Sequence, residues 1–431
     1  MAWLDDTGSL PEVNSEEDGP WGQEGTQAPL YYWLAATSVG GVPHNQADEL
    51  AERNPHANVG EPLRPDNKNW VLHDPERERW PYQGTALYVH LLRAFSTLMA
   101  VGTLSAVYCL GRITFPDRAD IALGMMGLVA FTPQFIFLSS SVSNDNAVIL
   151  ISSWVLVLLA VWLRAPQLPG WLQFGTMGAL LGLAVLAKLS GLLLWPLVAA
   201  VIVLLAWRSK NLGWLLQAGL VVFGLALIFC GWWFVRNQHL YGDLTGSSAL
   251  VGALGGPRRD LPSGLGGALA EFRGFRYSLW AVFGWFNILA PQPFYWIVDA
   301  LVIGGMVGFC VFLLRSLRRQ PRPTRDIVVM LFVWLAFITA GVLYWAILIS
   351  SQGRLAYPAL GTMALILVVG WAELVPSQLR RPVGIVGLAA WGASALLCAV
   401  LVLKPAYALP ERFGTLDELT SLPSALHVHY N

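Results

Sequence analysis

Between residues 86 and 403 the chain alternates apolar runs with short polar breaks. The runs are about twenty residues long, the length a helix needs to cross the hydrocarbon of a bilayer. They lie at 86–110, 119–139, 146–163, 171–188, 190–207, 213–235, 294–314, 327–349, 355–375 and 383–403. Lipid offers backbone amides no partner, and a helix satisfies them within one segment, so each run is predicted to be helical. Runs 171–188 and 190–207 nearly touch, and the order of charges around them favours a tight hairpin over one kinked helix. The pattern predicts an all-α polytopic membrane protein of about ten transmembrane helices with polar outer loops. It divides the chain into a polar region 1–85, a helical domain 86–403 and a tail 404–431.

Basic residues give this array a direction. Arg112 and Arg118, Arg164, Arg208 and Lys210, then Arg315, Arg318, Arg319, Arg322 and Arg325, and finally Arg380 and Arg381 fill every second loop. By the positive-inside rule these loops are cytoplasmic. The other set, 1–85, 139–146, 236–293, 350–354 and 404–431, is then extracytoplasmic. Met1 to Ala28 holds no signal peptide or spanning stretch to carry 1–85 across, so a hydrophobic helix is expected ahead of Met1. At the other end Leu426, Val428 and Tyr430 alternate with His427, His429 and Asn431, a period of two that reads as the start of a truncated β domain.

Two outer segments have structure of their own. Ala28 to Gly41 is aromatic and apolar but short for a span, which predicts an interfacial helix. The loop 236–293 runs through Arg236-Asn237, Tyr241-Gly242-Asp243 and a glycine-rich stretch into a part dense in Trp, Phe and Tyr. That aromatic part is expected to lie in the membrane interface. The glycines at 252–267 do not follow a strand and open a helix, so they make no phosphate loop.

Composition sharpens the class. Only 13% of the 431 residues are charged, against roughly 25% in soluble domains. Formal net charge is zero and no basic tract suggests nucleic acid. Cys109, Cys230, Cys310 and Cys398 all fall inside apolar runs, where they read as small core residues and not as disulfides or metal ligands. Only four of the 27 basic residues are lysine, a bias of GC-rich genomes that points to a bacterial plasma membrane.

Ionisable groups at the ends of spans are costly to place in lipid and carry the candidate chemistry. Lys188, Arg236 and Arg354 stand at the outer ends of three spans, on the side lacking the positive-inside bias. Singly, each reads as a snorkelling or interfacial anchor. Together they suit one anionic ligand, and a phosphate on a lipid carrier fits that location, with its tails in the bilayer. Asp145, with Asn144, sits at an outer helix start, as a cap or a group orienting a polar ligand. A divalent metal there is left open, since Asp145 alone makes no site, and no cofactor is identified. His90 and Arg93, three apart in the first span, are expected to pack against a carboxylate from 1–85.

The order of short motifs resembles the GT-C superfamily of polytopic glycosyltransferases that use polyprenyl-phosphate-linked sugars. Thr26-Gln27-Ala28-Pro29-Leu30-Tyr31-Tyr32 is similar to the family's Gln-Pro-Pro-Leu-Tyr-Tyr element. Leu92-Arg93, Ser143-Asn144-Asp145, Ala187-Lys188-Leu189-Ser190-Gly191, Arg236-Asn237 with Tyr241-Gly242-Asp243, and Gly353-Arg354 with Tyr357-Pro358 follow in order. The likeness is greatest to the protein mannosyltransferase and aminoarabinose transferase branch, especially its uncharacterised bacterial membrane members. It implies a GT-C-like bundle and transfer of a sugar from a polyprenyl-phosphate carrier to an extracytoplasmic acceptor. It implies that Lys188, Arg236 and Arg354 face the phosphate, Asp145 a polar ligand, and Tyr357 the carrier. The implied partners are the lipid-linked sugar donor and membrane lipids, with no nucleic acid. The family's aspartate base follows its first helix, which would lie upstream of Gln27. Asp5 and Asp6 form the adjacent acidic pair nearest that place but lack its context, so the base is expected upstream of Met1 and the chain as given would be inactive. Two other classes stay open. A transporter or flippase of lipid-linked or anionic solutes predicts midplane charges and paired repeats, which the sequence does not display. A non-catalytic membrane scaffold needs no base.

Overall fold

The computed structural model describes residues 2–13, 25–44, 52, 54, 55, 57, 58, 68–257 and 264–408. The side chains of Ala2, Trp3 and Asp5 lie outside that description. So do the alternating tail 426–431, most of 42–67 and residues 258–263 of the glycine-rich stretch.

All ten apolar runs are helical. Two short helices come first, α1 (Ala2–Thr7) and α2 (Leu30–Val39). The bundle then comprises α3 (Gly84–Thr114), α4 (Ala119–Ala130), α5 (Pro133–Ser139), α6 (Asp145–Arg164), α7 (Trp171–Ala187), α8 (Leu194–Ser209) and α9 (Leu212–Tyr241). The outer loop that follows carries α10 (Ser247–Ala253), α11 (Gly264–Trp280) and a two-residue hairpin, β1 (Val282–Phe283) paired antiparallel to β2 (Ile288–Leu289). The chain returns to the bundle with α12 (Gln292–Val311), α13 (Arg322–Leu348), α14 (Leu360–Leu374) and α15 (Arg380–Leu397). The protein is an all-α polytopic membrane protein. Among the described residues eight helices are long and apolar enough to cross a membrane, or nine with the bent pair α4–α5 as one span. The tenth run became α7, apolar but 17 residues long.

The departures from the sequence pattern have local causes. Between α4 and α5 the axis turns by 66°, because Pro133 supplies no amide hydrogen and pushes Thr132 into an extended conformation, ψ 117°. A 3₁₀ turn, Leu189–Leu193, separates α7 from α8 in place of a plain hairpin turn. Helix α9 continues past Arg236 to Tyr241 and stops where Gly242 takes a left-handed φ of 65°. Arg236 and Asn237 are therefore inside the last turns of a span, not beyond its end. His90 is half-buried, stacks on the ring of Tyr82 at 3.6 Å and interacts with the Glu78 carboxylate from the polar region, while Arg93 is exposed and does not follow the expected burial. The four cysteines are free, and Cys310 is exposed on the flank of α12 rather than in a core.

Helix α6 forms the axis of the bundle. Of its most apolar window 72% is buried, against 11% for the last span. It packs on α3, α7, α8, α13 and the segment Gly353–Ala359. Polar ties fasten the basic ends. The Arg208 guanidinium on α8 grips Asp326 of α13 at 2.5 and 2.9 Å, Arg164 donates to the Ile113 carbonyl at 2.7 Å, and Thr324 donates to Thr114 at 3.0 Å. Fork-shaped guanidinium pairing gives such ties direction as well as strength. This pins the basic ends of α3, α6, α8 and α13 together and leaves the opposite ends free to build a site.

Candidate functional site

The site begins with the start of α6. Its first residue, Asp145, follows a turn that is tied back to the N-terminal segment. The Ser143 hydroxyl accepts the Asp145 amide at 3.3 Å, and the Asn144 side chain donates to Gln27 Oε1 at 3.0 Å. One step earlier the Ser143 amide donates to the Tyr31 hydroxyl at 3.2 Å, which also pairs with Ser96 at 2.6 Å. Tyr31 is fully buried on α2 between α3 and α6. Burial raises the Tyr31 phenol above its ordinary range, since a charged phenolate would lose its solvation there. The motif Gln27 to Tyr32 and the motif Ser143 to Asp145 thus brace one another across the fold.

Two cations converge on the braced carboxylate. Lys188 Nζ donates to Asp145 Oδ1 at 2.5 Å, and Arg354 Nη1 stands 3.7 Å from Asp145 Oδ2. Asp145 is buried, its side chain 5% exposed, while Lys188 retains 21% and Arg354 36%. The carboxylate forms the floor and the cations the partly open wall. A carboxylate this deep is costly unless paired, and each oxygen has its cation.

Both cations sit in backbone bends made possible by a glycine. Lys188 follows α7 with an extended φ of −162°, and its carbonyl accepts the Gly191 amide at 2.8 Å. Gly191 packs on the Ala184 carbonyl so closely that a β-carbon would come within 2.4 Å of it. Arg354 follows Gly353, whose amide donates to the Ser278 hydroxyl at 2.7 Å. A β-carbon on Gly353 would meet the Leu279 amide nitrogen at 2.1 Å. Only glycine admits such backbone approach. Tyr357, fully buried, donates to the Leu279 carbonyl at 2.8 Å and fastens the same turn to the end of α11.

Of the remaining candidates, Arg236 donates through Nη2 to the Pro11 carbonyl at 3.0 Å and lies over the Trp233 ring at 5.1 Å, while Trp233 packs with Val185 and Leu186 just ahead of Lys188. Among the described residues the ion pairs of Asp145 are with Lys188 and Arg354. Asp6 pairs with His44 Nε2 at 3.1 Å on the surface, 66% exposed. Asp5 lies on α1, with its side chain outside the described residues. Among the described residues no group of three or more His, Cys, Asp or Glu is set to hold a metal.

Reading the sequence missed several supporting groups. Gln352 accepts from Arg354 Nε at 3.0 Å, and the ring of Phe286, at a left-handed φ of 59°, lies 5.7 Å from the Arg354 guanidinium. Asp243, named only as part of a motif, accepts the Thr245 and Ser248 amides at 2.9 Å. These bonds, with those from the Thr245 and Ser247 hydroxyls, hold its carboxyl well below the usual range. It closes the turn after α9. Nothing in local spacing marks Phe286 or Ser278, because their partners are remote in sequence.

No protein-family model matches the chain, and no curated protein sequence matches it. Among solved structures it is similar to ArnT from Cupriavidus metallidurans. With the apo form it shares 15% identity over 95% of this chain and 59% of that one, TM-score 0.48. With the form bound to undecaprenyl phosphate the figures are 16%, 92%, 58% and 0.49. It is also similar to the Archaeoglobus fulgidus oligosaccharyltransferase, in complex with Zn and sulfate, at 15% identity over 89% of this chain and 44% of that one, TM-score 0.43. The chain spans under two thirds of the length of each.

Proposed function

We propose that this chain is a GT-C-type membrane glycosyltransferase, or the membrane portion of one, that binds a polyprenyl-phosphate-linked sugar at the end of the bundle opposite the basic loops. The observation that carries this reading is the joining of Lys188 and Arg354, from separate spans, on the single buried carboxylate of Asp145. Two permanent cations held in fixed geometry and left partly open suit a lipid-borne phosphate. The motif resemblance read from the sequence supports the same class.

In the proposed reaction an acceptor oxygen bonds to the anomeric carbon as the bond from that carbon to the phosphate oxygen breaks. The electron pair leaves on the phosphate, which becomes a monoester with a second negative charge. Lys188 and Arg354 stabilise this growing charge, a contribution larger in the transition state than in the bound donor. The acceptor's proton passes to a carboxylate base, which the resemblance places ahead of Gln27. By the positive-inside rule the site faces the extracytoplasmic side.

Binding of undecaprenyl phosphate to the purified chain in nanodiscs tests the reading. Lys188→Ala and Arg354→Ala should each weaken binding by about tenfold or more, the factor that 1.4 kcal/mol represents. Unchanged affinity in both variants refutes it.

A further inference from the structure

The basic end of the bundle is not evenly charged. Several of its cations already have partners: Arg118 pairs with Asp120 at 2.7 Å and Arg208 with Asp326 at 2.5 Å. Arg164 and Arg380 donate to the carbonyls of Ile113 and Val375 at 2.7 and 3.1 Å. The stretch that joins α12 to α13 differs. Arg315, Arg318, Arg319, Arg322 and Arg325 are all exposed, and among the described residues none of the five pairs with a carboxylate. Basic loops orient a chain during insertion by their charge alone, whether or not they are later paired. Open guanidinium groups crowded into residues 315–325 also leave the folded protein with a patch that draws anions.

The local backbone sets this patch beside lipid. After Val311 the helix loosens into a π turn, Phe312–Ser316, then tightens into a 3₁₀ turn, Leu317–Arg319, before Pro321 opens α13. Ser316 ties the bend to α14 by donating to Glu373 at 2.7 Å. Within the span α12 meets α14 through glycines, and a β-carbon on Gly308 would come within 2.1 Å of the Gly370 carbonyl oxygen. With that face committed, Ile303, Val307, Cys310 and Leu314 stand exposed on the flank of α12. They are three or four positions apart, so they form one apolar stripe. Leu314, 81% exposed, is its last member and directly precedes Arg315.

We propose that this end of α12 is a binding site for an anionic phospholipid of the leaflet on the basic side, with two phosphates preferred over one. The headgroup lies among Arg315, Arg318 and Arg319, and an acyl chain lies along Ile303, Val307, Cys310 and Leu314. Clustered cations at the edge of a span attract anionic headgroups in proportion to the charge on each side. The stripe favours a lipid over a soluble polyanion, because the chain of a bound lipid covers it while the head engages the arginines. The site lies at the opposite end of the bundle from the Asp145 cluster and does not depend on the transfer reaction proposed above.

The full chain in phosphatidylcholine nanodiscs, titrated with cardiolipin (two phosphates) or phosphatidylglycerol (one), tests the site by native mass spectrometry of the lipids retained. Cardiolipin should bind at least about tenfold more tightly than phosphatidylglycerol, and Arg315→Gln/Arg318→Gln/Arg319→Gln should lose about tenfold or more of that affinity. Lys at the same three positions keeps the charge and the orientation signal and should recover most of the loss. Lys210→Gln removes a cation from the same end but outside the patch, and should change affinity by less than about threefold. Equal losses in Lys210→Gln and the triple Gln variant would reduce the site to diffuse surface charge and overturn the proposal. A Lys variant no tighter than the Gln variant would overturn the role of charge. Displacement of cardiolipin by soluble pyrophosphate in excess would assign the arginines to a free polyphosphate instead of a lipid.

Discussion

Lys188 and Asp145 meet at 2.5 Å although 43 positions separate them in the chain. One ends a helix and the other begins one, so the pair joins the outer ends of α7 and α6. Arg354 reaches the same carboxylate from the turn ahead of α14. The cluster therefore ties three elements at one end of the bundle, as the Arg208–Asp326 pair ties two at the other.

Breaking this pair from one side should cost more than removing it whole. Lys188→Ala leaves the buried Asp145 with one distant cation, and the loss expected is about 1–3 kcal/mol, below the figure for fully buried pairs because Lys188 is partly exposed. The double variant Lys188→Ala/Asp145→Ala should be more stable than Lys188→Ala alone. Thermal unfolding in detergent of the four chains of this cycle measures the difference, and simple additivity would contradict it.

Glycine substitutions should remove the site without touching its charges. Gly191→Ala and Gly353→Ala each force a β-carbon against backbone, which displaces the turn carrying the neighbouring cation. Undecaprenyl phosphate binding should drop by about tenfold or more in each. Retained binding in either variant would mean that its cation does not depend on that turn.

Arg236 should behave differently from the two cations on Asp145. Its guanidinium holds the Pro11 carbonyl, so Arg236→Ala should leave phosphate affinity within about threefold of wild type, since less than 1 kcal/mol separates the two. It should increase hydrogen exchange across residues 8–13. A loss of affinity as large as that of Lys188→Ala would place Arg236 at the ligand instead.

Tyr31 gives the fold an alkaline limit. Its phenol is raised from the ordinary 10.0 by burial, so the folded state holds the proton more tightly than the unfolded chain. The stabilisation is fully present below the unfolded value and is lost as pH rises through the folded one. Melting temperature followed from about pH 9 to about pH 11 should fall less steeply in Tyr31→Phe than in wild type. At neutral pH the variant should lose about 1 kcal/mol with the hydrogen bonds to Ser96 and Ser143. Identical alkaline slopes would exclude Tyr31 as the titrating group.

At the basic end, Asp326→Ala should destabilise the bundle by about 1–3 kcal/mol, because Arg208 would be left partly buried without its carboxylate. Phosphate-probe affinity should change little, since the pair lies away from the Asp145 cluster. Unfolding and binding measured on the same preparation check both halves.

The sequence alone determined the helices and their alternation, because lipid imposes one solution on every apolar run of sufficient length. It also marked Lys188, Asp145 and Arg354 as charges out of place, each beside a span that should be apolar. It marked Arg236 on the same grounds, and nothing in local pattern distinguished that residue from the others. Only the tertiary structure decided which cations share a carboxylate, because that depends on how α6, α7 and the Gly353 turn pack, with backbones close enough to require Gly191 and Gly353. Hydrophobic pattern records how much of a helix avoids water, but not which neighbour it meets, and charge pairing is a property of neighbours.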